Sequence, residues 1–329
     1  MPSATSSSTS SSDWRGFLAT FAIAAALALT LAYAFLVVAD PFDTGRLTPL
    51  RLHGLHATGQ RLAIASLGRD PDFDAAIIGE STIQLVSPER LSRLTGRRFV
   101  QLSVPGSGPV EQLAILDWFR RAHGAEARAI VVGFDPAWCG FKGPLRREAV
   151  ANPFPFWLIS PSAAEYLRNL LAFEHFEAAV RRLQAVAGRL PRHRSDGYDD
   201  YDQGRSYDRA ETAKRLAEIV TPAPVERGEP IHPAMTALAE ALAAFPPTAR
   251  KVLVLPPTYR SAEVVSPPLT ECEREARWVA ARVPGATVSK LPDDGPMLAD
   301  PDSFWDPIHY RRPVAEALER EIATALGGG

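Results

Sequence analysis

The chain has 329 residues, with 36 Lys and Arg against 38 Asp and Glu for a formal net charge of -2, and 46% of its residues are hydrophobic. That length suits one large α/β domain or two average ones and allows a sizeable core, while the near balance of charge gives no basic excess for nucleic acid. The two cysteines, Cys139 and Cys272, are too few for a disulfide framework and lack the spacing of a zinc site. One bridge in an oxidising compartment and two free thiols both fit them.

Residues 1–13 are dominated by Ser and Thr, too polar to bury a core, and read as a disordered tail. From Phe17 to Ala39 no charged residue occurs. This run matches the roughly 20 apolar residues that a helix needs to cross a bilayer, so residues 14–39 are expected to form a transmembrane anchor. Ala32-Tyr33-Ala34 resembles a signal-peptide cleavage site, but the apolar stretch continues past it through Val38, which favours an uncleaved anchor. Arg15 precedes the run while Arg46, Arg51 and Arg61 follow it, so the distribution of positive charge does not place the rest of the chain outside. Residues 40–72, punctuated by Pro41, Gly45, Pro49, Gly54, Gly59 and Gly68, read as a connector ending on the surface of a domain. His53 and His56 read there as a surface pair, since no carboxylate or thiol completes a metal set nearby.

The remaining residues, 73–329, alternate short apolar runs with amphipathic stretches. Strands are expected at 75–78, 98–104, 129–132, 252–255 and 287–291, and helices at 88–95, 110–123, 162–188, 233–244 and 269–282, with a last one from about 313. This rhythm predicts an α/β domain on a parallel sheet. Each of the first three strands stops in a small or polar loop: Gly79-Glu80-Ser81, Pro105-Gly106-Ser107-Gly108 and Gly133-Phe134-Asp135. Right-handed crossovers place these loops on one sheet edge. A nucleotide reading of the second loop is weak, because Glu111 occupies the place of the third glycine and no GxxxxGK loop occurs. Residues 140–230 interrupt the alternation and read as an insertion capping the sheet edge. Its acidic, tyrosine-rich stretch, Asp196 to Asp202, reads as a solvated loop or a sugar-facing lip, since it lacks EF-hand spacing.

Asp306 and His309 lie three residues apart just before the final helix. A serine hydroxyl becomes a competent nucleophile when an imidazole takes its proton and a carboxylate fixes the imidazole tautomer. Ser81, His309 and Asp306 supply nucleophile, base and orienter in the chain order Ser, Asp, His. Taken singly, Ser81 also fits a turn-capping serine, and His309 a packing residue at a helix start.

Together, Gly79-Glu80-Ser81, Gly106, Gly133-Phe134-Asp135 and Asp306-Pro307-Ile308-His309 resemble the four blocks of the SGNH (GDSL-type) hydrolase superfamily, in order and at successive strand ends. The resemblance covers residues 73–138 and 250–326. It implies a three-layer flavodoxin-like fold, esterase or acyltransferase chemistry through Ser81, Asp306 and His309, an oxyanion site using Gly106 and position 135, and neither metal nor other cofactor. With the N-terminal helix, the chain is most similar to the membrane-anchored branch that includes the D-alanine transfer and alginate O-acetylation proteins. That likeness implies a domain outside the cytoplasmic membrane, a cell-surface glycan as partner, and an arrangement in which a separate multi-pass membrane protein delivers the acyl group. A domain that has lost catalysis and binds a glycan or membrane partner is the alternative. Position 135 departs from the family, where an asparagine usually donates to the oxyanion. An ionised Asp135 accepts hydrogen bonds but donates none.

Overall fold

The computed structural model describes residues 11–47, 59–190, 195–217, 232–259 and 269–327. Most of the expected tail, the pair His53 and His56, and part of the insertion lie outside these residues.

Five strands form one sheet: β1 (Ala75–Ile78), β2 (Phe99–Gln101), β3 (Ala129–Gly133), β4 (Arg250–Val254) and β5 (Ala286–Ser289). Their order is β2-β1-β3-β4-β5 and every neighbouring pair is parallel. This is the 2-1-3-4-5 order of doubly wound sheets, whose switch point lies between the carboxyl ends of β1 and β3. β2 is shorter than the apolar run 98–104, yet its pairing continues, since Leu102 and Val104 donate to the carbonyls of Ile77 and Gly79 at 2.8 and 2.9 Å.

Alternation along the strands divides the core in two. Ala76, Ile78, Ile130, Val132 and Leu253 face one layer, and Ala75, Ile77, Ala129, Val131 and Val252 the other. The helices are α1 (Ser11–Ala39), α2 (Gln60–Leu67), α3 (Pro88–Thr95), α4 (Pro109–His123), α5 (Pro136–Cys139), α6 (Phe156–Ile159), α7 (Ala163–Leu170), α8 (Phe173–Val186), α9 (Arg209–Ala217), α10 (Pro233–Ala243), α11 (Leu269–Ala280) and α12 (Arg312–Ala325). Helices α4, α10 and α11 cover the first layer, through Ile115, Met235 and Cys272 among others. Helices α3 and α12 cover the second, through Leu91, Val314, Leu318 and Ile322. Cys139 at the end of α5 and Cys272 on α11 form a disulfide with Cα atoms 5.1 Å apart.

Helix α1 begins at Ser11 and is long and apolar enough to cross a membrane from Trp14 to Ala39. Residues 14–31 are exposed along its whole circumference, whereas Leu36 and Ala39 are buried in the domain. The stretch after it is more than a connector. Asp40, Phe42, Asp43 and Thr44 are buried, and α2 places Ala63, Ile64, Ala65 and Leu67 in the core. Asp40 accepts from the Thr44 and Gly45 N–H groups at 3.0 and 2.7 Å. Asp43 accepts from Arg182 (2.7 Å), Arg69 (3.0 Å) and the Ser66 hydroxyl (3.0 Å), and Arg182 also donates to the Ala39 and Asp40 carbonyls.

The single helix expected at 162–188 is two. The chain leaves helical geometry at Leu171 and Ala172, with ψ of 82° and 150°. The break lets α7 bury Tyr166 and Leu170 while α8 turns its Arg182 toward the end of α1. No glycine or proline marks it.

Because Asp43 and Arg182 are both buried, losing one partner leaves the other charge uncompensated. Arg182→Ala is expected to destabilise the protein by about 3–5 kcal/mol, read from chemical denaturation of the detergent-solubilised chain.

Candidate active site

Ser81 opens a 3-10 turn, Ser81–Ile83, directly after β1. Gly79 makes the turn possible: a Cβ there would lie 2.7 Å from the Ile83 side chain and 3.3 Å from the backbone of Gly133 at the end of β3. The carboxyl ends of β1 and β3 therefore touch, and Ser81 stands half-buried at the switch point.

His309 and Asp306 arrive from the far end of the chain on a loop pinned at its base. Phe304 and Tyr310 form an antiparallel bridge, Trp305 N–H donates to the His309 carbonyl and Arg311 N–H to the Ser303 carbonyl, both at 2.8 Å. Within the loop Asp306 Oδ1 accepts from the N–H groups of Ile308 (3.0 Å) and His309 (2.8 Å), so the carboxylate braces the segment that carries its partner. Its Oδ2 lies 2.8 Å from His309 Nδ1, and His309 Nε2 lies 2.8 Å from Ser81 Oγ. Burial opposes the Asp306 anion, but hydrogen bonds and charge from His309 and the two N–H groups outweigh it and hold its pKa below the ordinary value. An ionised Asp306 fixes the proton on Nδ1 and leaves Nε2 to accept from the Ser81 hydroxyl. The structure thus brings together three residues singled out from sequence, across 228 positions.

Gly106 reaches the same place by another route. Val104 N–H and the Ser107 hydroxyl both bond the Gly79 carbonyl, at 2.9 and 3.2 Å, latching the loop two residues before Ser81. Gly106 adopts φ of +64°, which favours glycine, and its carbonyl accepts from Asn152 at 3.2 Å. Arg61 on α2 bonds the preceding carbonyl, Pro105, at 2.7 Å. At the mouth of α4, Glu111 accepts from Gly108 N–H at 3.1 Å, so a carboxylate sits where a pyrophosphate would have to bind.

Asp135 does not play the donor's part that position 135 has in the SGNH blocks. One oxygen accepts from Ala137 N–H at 2.9 Å, capping α5, and the other accepts from the Thr82 hydroxyl at 2.7 Å. It is buried and lies against Glu80, the neighbour of Ser81. Burial first, then the charge of Asp135 and a hydrogen bond to it, push the Glu80 pKa up to about 8, against the opposing influence of Thr82 and the Gly106 N–H. Burial also raises Asp135, against hydrogen bonds from Thr82, Glu80 and Ala137. At neutral pH Glu80 therefore keeps its proton, facing Asp135. Pattern reading found both acids but not this retained proton, because spacing carries no information on burial.

The acidic, tyrosine-rich stretch is neither a solvated loop nor an open lip. Asp202 accepts from Trp305 Nε1 at 2.8 Å and from Arg311 at 3.2 Å, and Asp200 pairs with Arg312. Tyr198, Tyr201 and Tyr207 turn inward and donate to the carbonyls of Leu85, Tyr310 and Pro301. The Tyr201 ring meets His309 edge-on at 6.1 Å, which makes this tyrosine of the acidic stretch a neighbour of the site. The Asp196 carbonyl accepts from Gln101 N–H at 2.8 Å, so this segment runs along the exposed edge of β2. Among the described residues, no three His, Cys, Asp or Glu side chains are grouped to hold a metal ion.

No model of a known protein family matches the chain, and no curated protein is similar to it.

Glu80 gives the site a pH signature. In the unfolded chain it loses its proton near 4.5, in the folded protein near 8. Between those values the folded state binds more protons, so its contribution to stability is complete below the lower value and is lost as pH rises toward 8. Glu80→Gln cannot ionise. It is expected to flatten that decline, gaining on the parent by on the order of 3 kcal/mol between pH 5 and pH 9 in parallel denaturation series.

Proposed function

We propose that this protein is a membrane-anchored serine acyltransferase or esterase of the SGNH type, acting on O-acyl groups of a cell-surface polysaccharide through an acyl-Ser81 intermediate. The observation that carries the reading is the continuous chain from Asp306 to His309 to Ser81, both links 2.8 Å long. In the first half-reaction His309 Nε2 takes the Ser81 proton as Oγ attacks the acyl carbonyl, and then returns it to the departing alcohol or other leaving group. Asp306 stabilises the imidazolium that forms between the two transfers. In the second half-reaction His309 deprotonates a sugar hydroxyl or water, which attacks the acyl-serine and releases Ser81. The SGNH resemblance implies the backbone N–H groups of Ser81 and Gly106 as oxyanion donors, of which the Gly106 N–H faces the Glu80 carboxyl.

The strand order and the spacing of the four blocks support the superfamily. The glycan acceptor, the delivering membrane protein and the extracytoplasmic placement rest on the likeness to the membrane-anchored branch. The disulfide between Cys139 and Cys272 supports that placement, since such bonds persist mainly in oxidising compartments. Thiol alkylation in denaturant of protein taken from its native membrane, read by intact mass without reductant, is expected to leave both cysteines unmodified. Labelling of both would count against an oxidising location.

One observation favours a second reading. Asp135 accepts on both oxygens and offers the oxyanion no hydrogen, which suits a site retained for binding glycan alone. Incubation of the full chain with an activated acetyl ester separates the two. An adduct mapped to Ser81 by mass spectrometry, absent from Ser81→Ala, and turnover lowered in Ser81→Ala and His309→Ala by on the order of 10⁵-fold, are expected for the enzyme. Folded protein with neither adduct nor turnover would leave the binding reading.

A further inference from the structure

Helix α8 carries two apolar faces where a soluble helix needs one. Ala179, Arg182 and Ala185 form the face turned into the domain. A second stripe, Phe173, Phe176, Val180 and Leu183, follows the helical spacing i, i+3, i+7, i+10; Phe173, Val180 and Leu183 are exposed, and Phe176 at its inner edge is half-buried against the domain. Phe173 is 90% exposed, and Val180 and Leu183 are each 46% exposed. A row of this kind on a water-facing helix marks an interaction surface.

Its position indicates what covers it. Trp14 and Tyr33 on α1 are separated by about 29 Å of helix at 1.5 Å per residue, close to the hydrocarbon thickness of a bilayer, and aromatic residues mark both boundaries of such spans. The domain-side boundary thus falls at about Tyr33, whose hydroxyl donates to the Leu167 carbonyl of α7 at 2.7 Å. Two residues later Phe35 stacks on Phe176 of the stripe, with ring centroids 6.2 Å apart and planes within 8°. Arg182 fixes α8 to the end of α1 through the Ala39 and Asp40 carbonyls. The stripe is therefore continuous with the apolar surface of α1 at the level where α1 leaves the bilayer. Besides the buried Arg182, the sequence from Arg181 to Arg194 carries four arginines and no acidic residue, a composition suited to anionic headgroups.

We propose that α8 lies in the surface of the same bilayer, with Phe173, Val180 and Leu183 inserted at the headgroup-acyl boundary, so that the domain rests on anionic lipid. The proposal rests on the reading of α1 as a membrane anchor. The test uses the full chain reconstituted in vesicles of phosphatidylethanolamine and phosphatidylglycerol. A nitroxide is placed singly at Val180→Cys, Leu183→Cys, Glu174→Cys on the polar side of α8, or Ala24→Cys in the middle of α1. Its collision rates with oxygen, which concentrates in hydrocarbon, and with a water-soluble nickel chelate are measured by electron paramagnetic resonance; parent protein carried through labelling supplies the background.

The oxygen-to-nickel ratio at 180 and 183 is expected to exceed that at 174 several-fold and to approach that at 24. Ratios at 180 and 183 as low as at 174, with 24 still lipid-like, would overturn the docking and leave the anchor standing. Shielding of 180 and 183 from both reagents would also overturn it, by showing a protein there, whether a second copy or a membrane partner. A water-like ratio at 24 would remove the anchor reading and the docking with it.

Discussion

The hydrogen bond between Ser81 and His309 joins the loop after the first strand to the loop before the last helix, and much of the polar architecture between them serves to hold that one distance at 2.8 Å. On the serine side the restraint is steric. Gly79 brings β1 against Gly133, and the Gly79 carbonyl is bound by Val104 and Ser107, so Ser81 has little freedom to move along the sheet edge. On the histidine side the restraint is electrostatic. Asp306 accepts from its own loop as well as from the imidazole, and Asp202 holds Trp305 and Arg311 on either side of that loop. The insertion thus contributes to the site through structure: it supplies the counter-charges that a sharply turned loop of Trp, Asp, His and Arg requires.

Beneath the serine the balance is less comfortable. A carboxyl pair retains a proton next to the atom on which a nucleophile would be generated. Thr82 and the Ala137 N–H at the start of α5 bond the Asp135 carboxyl against the burial that raises its pKa, and Glu80 remains neutral because burial and the Asp135 charge both oppose its ionisation. Retaining that proton keeps the charge beside Ser81 at one unit. An asparagine in place of Asp135 would remove the charge that adds to burial in keeping Glu80 protonated, so the departure at position 135 is not independent of the glutamate at position 80.

The parallel sheet, its five strands and the meeting of Ser81, Asp306 and His309 were legible in the sequence because each is written in local pattern. Buried strands are continuous apolar runs, and α3 is bracketed by Ser87-Pro88 and Gly96, a capping residue and a terminator. A serine activated by histidine needs specific residue types, and all three occur in loops beside strand ends or a helix start. What escaped depends on partners distant in sequence. The break between α7 and α8 has no glycine or proline to announce it and follows from where Arg182 must reach. The acids at 200 and 202 found their arginines at 312 and 311. The pairing of Cys139 with Cys272 required knowing that α5 and α11 are neighbours. The buried role of residues 40–44 was hidden because a stretch rich in proline, glycine and charge reads as linker, although Asp40 and Asp43 are fully engaged in hydrogen bonds.

That misread junction bears on function more than its composition suggests. Asp43 ties the end of α1 to Ser66 and Arg69 at the carboxyl end of α2, and Arg61 at the other end of α2 bonds the Pro105 carbonyl beside Gly106. One short, largely buried helix thus connects the membrane-proximal junction to a loop at the candidate active site. A flexible tether would let the domain sample a volume set by linker length, but a buried charge network does not. With α1 as an anchor, Ser81 is held at a fixed height and orientation over the bilayer. Under the acyl transfer proposed above, a group delivered from the membrane would then meet the serine at one place.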